Sequence, residues 1–458
     1  MNNVHQLSGA PAFPVVSLFS GAMGLDLGLM QAGLNVVVSQ DLDKWSCETI
    51  EGNGHASVSG DIRTLIDEDP GCDFLLKNGR IKRDDVFAVV GGPPCQSFST
   101  AGKRLGVEDG RGMLYEQFIH IVQTLKPRFF VMENVKGLAS MPSADDPART
   151  LLSVIIERFR ALGFHTVHAV LDAVHYGAPQ FRERLVIIGS RDREAIFLPS
   201  PTHFHVHQNP GMRWKTLLSA IGDLQDDPGP CARFSPNVSK YLALVPEGGN
   251  WRSLPQNLVE AAMGGAYESG GGKVGFFRRL PFSEPSPTLV TSPIQKATAL
   301  CHPRDTRPLS VKEYARIQGF PDTWKFSGST TECYRQIGNA VPIPLGTAIG
   351  QMLMSVALGN SEVRVKRMRG TSVHDSMKQL SLTLAAGESL DEIDDTGGAT
   401  SRQSRRTTCR VVRAPICATQ DVDARETTQQ KSLFVSRYWH SAPRPISRSS
   451  SERKNFQL

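Results

Sequence analysis

The feature that most constrains this chain is an alternation. Short runs rich in Val, Ile and Phe recur through the first 190 residues, separated by segments long enough for a helix. The runs are Val15-Val16-Ser17-Leu18-Phe19, Asn35-Val36-Val37-Val38, Val86-Phe87-Ala88-Val89-Val90, Phe129-Phe130-Val131-Met132 and Arg184-Leu185-Val186-Ile187-Ile188. Continuous apolar runs suit strands buried on both faces, and helix-length connections suit crossovers between parallel strands. The expectation is an α/β fold with a mostly parallel sheet, helices on both faces and a site at the carboxyl ends of the strands.

The alternation lapses near Ser190. From there to about Arg304 the chain is rich in Pro, Gly and aromatics, with loop signals at Gly248-Gly249 and Gly270-Gly271-Gly272. Helical patterning resumes at Ser310 to Gln318 and from Ile343 to Leu358. The expected organisation is a first domain over 1–190, a smaller irregular domain over 191–304, a return segment completing the first domain over 305–358, and a Ser/Arg-rich tail over 359–458. The tail, with Ser401-Arg402-Gln403-Ser404-Arg405-Arg406 and Ser447-Arg448-Ser449-Ser450-Ser451, has too little apolar content for a core and is expected to be disordered.

Charge follows the same division. The formal excess of +6 falls in residues 361–458, where 17 Lys and Arg face 11 Asp and Glu, so the first 360 residues are balanced. Bulk charge is therefore no argument that the folded part binds nucleic acid, and any phosphate-binding face there has to be local. No apolar run approaches the roughly 18 to 20 residues of a membrane span, and no secretory signal opens the chain, so a soluble cytoplasmic protein is expected. The eight cysteines form no CxxC pair, which argues against a zinc site or a disulfide framework.

Several segments carry chemistry. Phe19-Ser20-Gly21-Ala22-Met23-Gly24 lies between a strand and a helix expected from Leu25, where glycines let backbone N–H groups approach a ligand; a tight turn that merely needs glycine is the alternative. Asp41, 20 residues after Gly21, is placed to accept from both hydroxyls of a ribose, and Asp61 to serve an adenine; either could be an ordinary loop acid. Gly91-Gly92-Pro93-Pro94-Cys95-Gln96-Ser97-Phe98-Ser99 ends a strand in a stiff turn that holds Cys95 at the sheet edge, the wrong place for a core cysteine. Glu133-Asn134-Val135 follows the next strand, and Glu133 can share a cleft with Cys95 if the two strands are neighbours.

These segments, together with Gln180-Phe181-Arg182-Glu183-Arg184, the stretch from Arg307-Pro308-Leu309 through Arg316-Ile317-Gln318-Gly319-Phe320-Pro321-Asp322, and Gln336-Ile337-Gly338-Asn339-Ala340-Val341-Pro342, resemble the DNA (cytosine-5) methyltransferase family of bacterial restriction–modification systems in kind and order. The resemblance covers residues 15 to about 350 and implies a Rossmann-like, S-adenosylmethionine-dependent methyltransferase fold with a target-recognition domain over 191–304.

The resemblance also implies roles. Cys95 would add to carbon 6 of cytosine and make carbon 5 nucleophilic; Glu133 would place a proton at ring nitrogen 3; Arg182 and Arg184 would hold the ring oxygen and neighbouring phosphates. Phe19, Gly21, Gly24, Asp41, Asp61 and Asn339 would hold S-adenosylmethionine, with Leu42 where many relatives carry an aromatic residue. No metal is required. Because the reacting atoms are stacked in duplex DNA, the base would be flipped out, under a loop over 96–112 that carries Gln96, Ser97, Ser99, Lys103, Arg104 and Arg111. Lys273, Arg278, Arg279 and the Thr288-Leu289 pair would contact DNA. The implied partner is double-stranded DNA, bound by a monomer, with a cognate restriction endonuclease as a functional rather than physical partner. A transfer RNA cytosine-5 methyltransferase and a catalytically silent DNA-binding protein are the alternatives.

Overall fold

The apolar runs pair into one sheet, and the sheet gains an antiparallel edge. The computed structural model describes residues 13–94, 114–144, 146–192, 196–224, 227–269 and 273–359. The chain divides into two units, Met1–Met368 and Arg369–Leu458, and every described residue belongs to the first; the tail from residue 360 onward lies outside the described residues. Strands β1 (Pro14–Leu18), β2 (Asn35–Asp41), β3 (Ser57–Ser59), β4 (Ala88–Gly91), β5 (Phe129–Val135), β6 (His165–Asp172) and β7 (Glu183–Ser190) form a seven-stranded sheet in the order β3-β2-β1-β4-β5-β7-β6. Pairings from β3 to β5 are parallel, whereas β7 runs antiparallel to both β5 and β6.

Helices α1 (Gly24–Gln31), α2 (Lys44–Gly52), α3 (Ile62–Glu68), α4 (Asp73–Gly79), α5 (Leu114–Leu125) and α6 (Leu151–Ala161) fill the connections. Successive side chains of a strand point to opposite faces, and β1 divides its valines accordingly. Val16 joins a core with Val89, Phe118, Phe130 and Phe159. Val15 joins another with Leu29, Val90, Val131 and Leu353. Both faces of the sheet are thus covered, which is what the continuous apolar runs require.

Residues 196–304 contribute three short helices, α7 (Leu217–Ile221), α8 (Pro236–Leu242) and α9 (Gln256–Met263), and among the described residues only isolated bridges instead of strands. This region has a small core of its own around Phe234, Tyr241, Leu242, Met263 and Phe277. A second cluster joins Leu217, Leu280 and Leu289 to Tyr314, Ile317 and Ile337. Those last residues belong to the returning helices α10 (Val311–Gln318) and α11 (Thr330–Asn339), which precede α12 (Ile343–Ala357). Helix α10 begins with a reciprocal capping box between Ser310 and Glu313.

Helix α12 lies directly on α1, and glycine sets the distance. A Cβ at Gly28 would sit 2.5 Å from the carbonyl oxygen of Ile343, one at Gly346 2.7 Å from that of Leu25, and one at Gly350 2.6 Å from the Cβ of Ala32. The backbones meet with no side chain between them. Thr330–Ala357 is, by length and composition alone, apolar enough to be compared with a membrane span. It is broken before Ile343 into two helices, and 61% of its most apolar window is buried against the protein.

Candidate active site

The carboxyl ends of β1, β2, β4 and β5 meet at one edge of the sheet, and the reversal of β7 brings its first residues to the same edge. Glu133 stands at the end of β5 opposite Val186, and Val135 pairs with Arg184. The Arg184 Nε donates to the Glu133 Oε1 at 2.8 Å, with side chains only 14% and 12% exposed. Burial raises the proton affinity of the Glu133 carboxyl, opposed by the charges of Arg184 and Arg182. Such a carboxyl sits closer than usual to sharing a proton with a ligand at neutral pH.

Strands β4 and β5 are neighbours in register, with Gly91 beside Met132. A Cβ at Gly92 would fall 2.7 Å from the Glu133 Oε2, so only glycine fits there without displacing the carboxylate. The Asn134 Nδ2 donates to the Pro93 carbonyl oxygen at 2.9 Å. The chain entering the Pro93-Pro94 turn is thereby held against the glutamate strand. Cys95, Gln96, Ser97, Ser99, Lys103, Arg104 and Arg111 lie outside the described residues.

A second group of residues surrounds the β1 turn. Phe19 adopts φ 54° and Gly21 φ 53°, and no atom lies within 4 Å of where a Gly21 Cβ would be. The Gly21 N–H donates to the Asp41 Oδ2 at 2.7 Å, and the Asp43 N–H to Oδ1 at 2.8 Å. Burial raises the proton affinity of Asp41. Leu42, 65% exposed, projects beside it. Asp61 caps α3 through the Arg63 N–H at 3.0 Å and pairs with the Arg63 guanidinium at 2.6 Å, which lowers its proton affinity. Gly24 differs from Gly21: a Cβ there would meet the Val341 carbonyl oxygen at 2.3 Å, so this glycine admits the return segment. That segment delivers Asn339, exposed, as the last residue of α11.

Other residues singled out from the sequence are engaged within the fold. Arg182 is 2% exposed and donates to the carbonyl oxygens of Leu289 at 2.9 Å and Gly338 at 2.7 Å, tying the middle region to α11. The side chain of Leu289 is core, and the Thr288 Oγ1 donates to the Phe181 carbonyl oxygen at 2.7 Å. Arg279, 4% exposed, is the clearest departure from expectation. Its guanidinium donates to the carbonyl oxygens of Leu242 at 2.8 Å, Val245 at 2.8 Å, His302 at 3.1 Å and Asp305 at 3.0 Å, which leaves it internal and unable to reach a phosphate. Arg278 is half-buried and donates to the Ala299 carbonyl oxygen at 3.2 Å, and the Lys273 ammonium donates to that of Tyr267. Sequence reasoning passed over Asp26, a carboxylate buried beneath the β1 turn, and Arg335 of α11, which pairs with Asp43 at 2.7 Å. An acid or arginine on a helix is usually solvated, and nothing in local spacing marked these two.

Comparison with known proteins agrees with this architecture. The family described as C-5 cytosine-specific DNA methylase matches residues 13–355. The type II methyltransferase M.PspPI of Psychrobacter sp. (strain TA137) is 41% identical over 353 residues, covering 75% of this chain and 79% of the relative. The type II methyltransferase M.Eco47II of Escherichia coli is 38% identical over 352 residues, with the same 75% and 79% covered. Among solved structures, a prophage-encoded E. coli protein described as a DNA modification methyltransferase superposes with a TM-score of 0.53 at 24% identity, covering 76% of this chain and all of its own, a likeness of fold. On the matched span and these identities, the chain belongs to the C-5 cytosine-specific DNA methylase family and is a DNA (cytosine-5)-methyltransferase.

Proposed function

We propose that the enzyme methylates carbon 5 of cytosine within one short duplex DNA sequence, acting as a monomer on a base flipped from the helix. The observation that carries the reading is the buried Glu133–Arg184 pair at 2.8 Å beside the Gly92-Pro93-Pro94 turn that leads into Cys95. In this reading the Cys95 thiolate adds to carbon 6. Glu133 supplies the proton that neutralises ring nitrogen 3, and Arg184 steadies that carboxyl while facing the ring oxygen. After carbon 5 takes the methyl it loses its own proton, and the carbon–sulfur bond breaks to release Cys95.

Family membership implies S-adenosylmethionine as donor, and the residues near β1 and β2 fit it. Gly21 faces open space, and each Asp41 oxygen, holding one N–H, keeps a lone pair for a ribose hydroxyl. The exposed Leu42 offers an apolar wall. When bound, the donor supplies an electrophilic methyl on a sulfonium. Phe19, Gly21, Asp41 and Asp61 bind and orient it in this reading, while Gly24 acts indirectly by admitting Val341. Residues 191–304 would select the DNA sequence, and the modification would protect host DNA from a cognate endonuclease. Bisulfite sequencing of plasmid from expressing cells should find 5-methylcytosine in a single context. Absence of any modified site, or modification confined to transfer RNA, would refute the reading.

A further inference from the structure

Asp26 is 1% exposed, on the first turn of α1, and lies under the turn that faces the donor. Its Oδ1 accepts from the Ser17 hydroxyl at 2.6 Å and its Oδ2 from the Ser39 hydroxyl at 3.2 Å. Ser17 is two residues before Phe19 on β1, and Ser39 two residues before Asp41 on β2. A third hydroxyl extends the network, since the Ser20 Oγ donates to the Ser17 Oγ at 2.8 Å. One carboxylate therefore links both strand ends that present donor-facing residues, and reaches the turn through Ser20.

The cost of this arrangement argues that it does something. A buried carboxylate gives up its hydration, and neutral serines compensate only partly, so an apolar residue here would hold the strands more cheaply. We propose that Asp26 is a positioning residue for the methyl donor: through Ser17, Ser20 and Ser39 it fixes the spacing of the Phe19–Gly21 turn against Asp41. The inference rests on the reading of that turn as the donor site.

Titration of Asp26 then bears on binding. Burial pushes its carboxyl up to about 6, the serine hydroxyls pulling the other way and the charge of Asp41 adding to the rise. Asp41 is the charged group on a packed element that acts on it; β4 and α12 carry no charged residue. Ionised, Asp26 accepts from both serines. Protonated, one oxygen becomes a donor, so one serine hydroxyl loses its acceptor and the turn loosens. Donor affinity is therefore expected to fall as pH drops through about 6.

The test is calorimetric binding of S-adenosylhomocysteine to the full-length protein from pH 5.5 to pH 8, which needs no turnover. Asp26→Asn should weaken binding at pH 8 by about tenfold, the loss of roughly one net hydrogen bond, and should flatten the pH dependence seen in the parent. Steady-state assays should place the effect on KM for the donor rather than on kcat. Ser20→Ala should weaken binding in the same sense, should keep a pH dependence, moved to higher pH because the Ser20 hydroxyl helps hold the Asp26 carboxyl down, and serves if Asp26→Asn does not fold. Parent-like affinity and pH profile in Asp26→Asn, or parent-like affinity in Ser20→Ala, overturn the proposal while leaving the donor site intact. Failure of the parent to bind S-adenosylhomocysteine overturns both.

Discussion

Gly21 and Gly24 stand three residues apart in one turn, and alanine at each is expected to fail for a different reason. At position 24 the new Cβ would lie 2.3 Å from the Val341 carbonyl oxygen and 3.0 Å from the Ala340 Cβ. Ordinary contact begins at 3.4 Å, so two backbone segments must separate by about 1 Å, at an overpacking cost of about 1–3 kcal/mol. In a domain of this size each kcal/mol lowers the melting temperature by roughly 2–4 °C. At position 21 no atom lies within 4 Å, and the φ of 53° costs alanine about 1–2 kcal/mol. There the methyl group projects into the space assigned to the donor. Thermal melts with and without saturating S-adenosylhomocysteine separate the cases, because a ligand at ~100 times its Kd adds about 2.7 kcal/mol to the folded state. Gly24→Ala should melt well below the parent yet keep a ligand-induced rise. Gly21→Ala should lose the rise. A Gly24→Ala protein with the parent's melting temperature, or a Gly21→Ala protein with the parent's full ligand response, refutes this assignment of the two glycines.

Arg184→Ala leaves Glu133 buried without its nearest cation, a change expected to cost about 3 kcal/mol in urea denaturation at pH 8 and to abolish methylation. Arg184→Lys should recover stability better than activity, since an ammonium does not reproduce the planar fork; equal recovery of both contradicts the reading. Arg279→Ala should destabilise the protein by on the order of 3 kcal/mol because several carbonyls lose their donor. It should leave the salt dependence of DNA binding unchanged, whereas a true phosphate contact would lower the log–log slope by about 0.9. Asp26 is held at about 6 against an ordinary 3.8, so the folded state binds its proton more tightly and this group's contribution is lost as pH rises from about 4 to 6. Relative to Asp26→Asn, the parent should therefore lose about 2 kcal/mol between pH 4 and pH 8; a constant difference between the two proteins across that range is incompatible with the burial described.

Most of the sheet was legible because its central strands are apolar on both sides. The runs at Val15, Asn35, Val86, Phe129 and Arg184 correspond to β1, β2, β4, β5 and β7 within a few residues. Strand β6, His165–Asp172, escaped notice because it is an edge strand, half-exposed and mixed in His, Thr and Val. The reversal of β7 was equally hidden, since a buried strand reads the same in either direction. It matters, because reversal is what brings Arg184 to the edge that holds Glu133. In the site, spacing located Glu133 and Asp41 at strand ends. It could not distinguish a solvent-facing arginine from Arg279, whose partners come from residues 242 to 306, nor reveal that Asp26 bridges two strands. Those are properties of chain convergence, and local composition does not encode them.

The central claim, that a sulfur nucleophile on the β4 turn attacks the flipped cytosine, is tested most directly by trapping. Duplex DNA carrying 5-fluorocytosine at the modified position cannot release the fluorine as a proton, so the carbon–sulfur bond should persist once the methyl has been transferred. Peptide mass spectrometry should then find the DNA joined to Cys95, only when S-adenosylmethionine is present, and Cys95→Ala should form no adduct. An adduct on another residue, or a Cys95→Ala protein that methylates DNA at the parent's rate, would contradict the account.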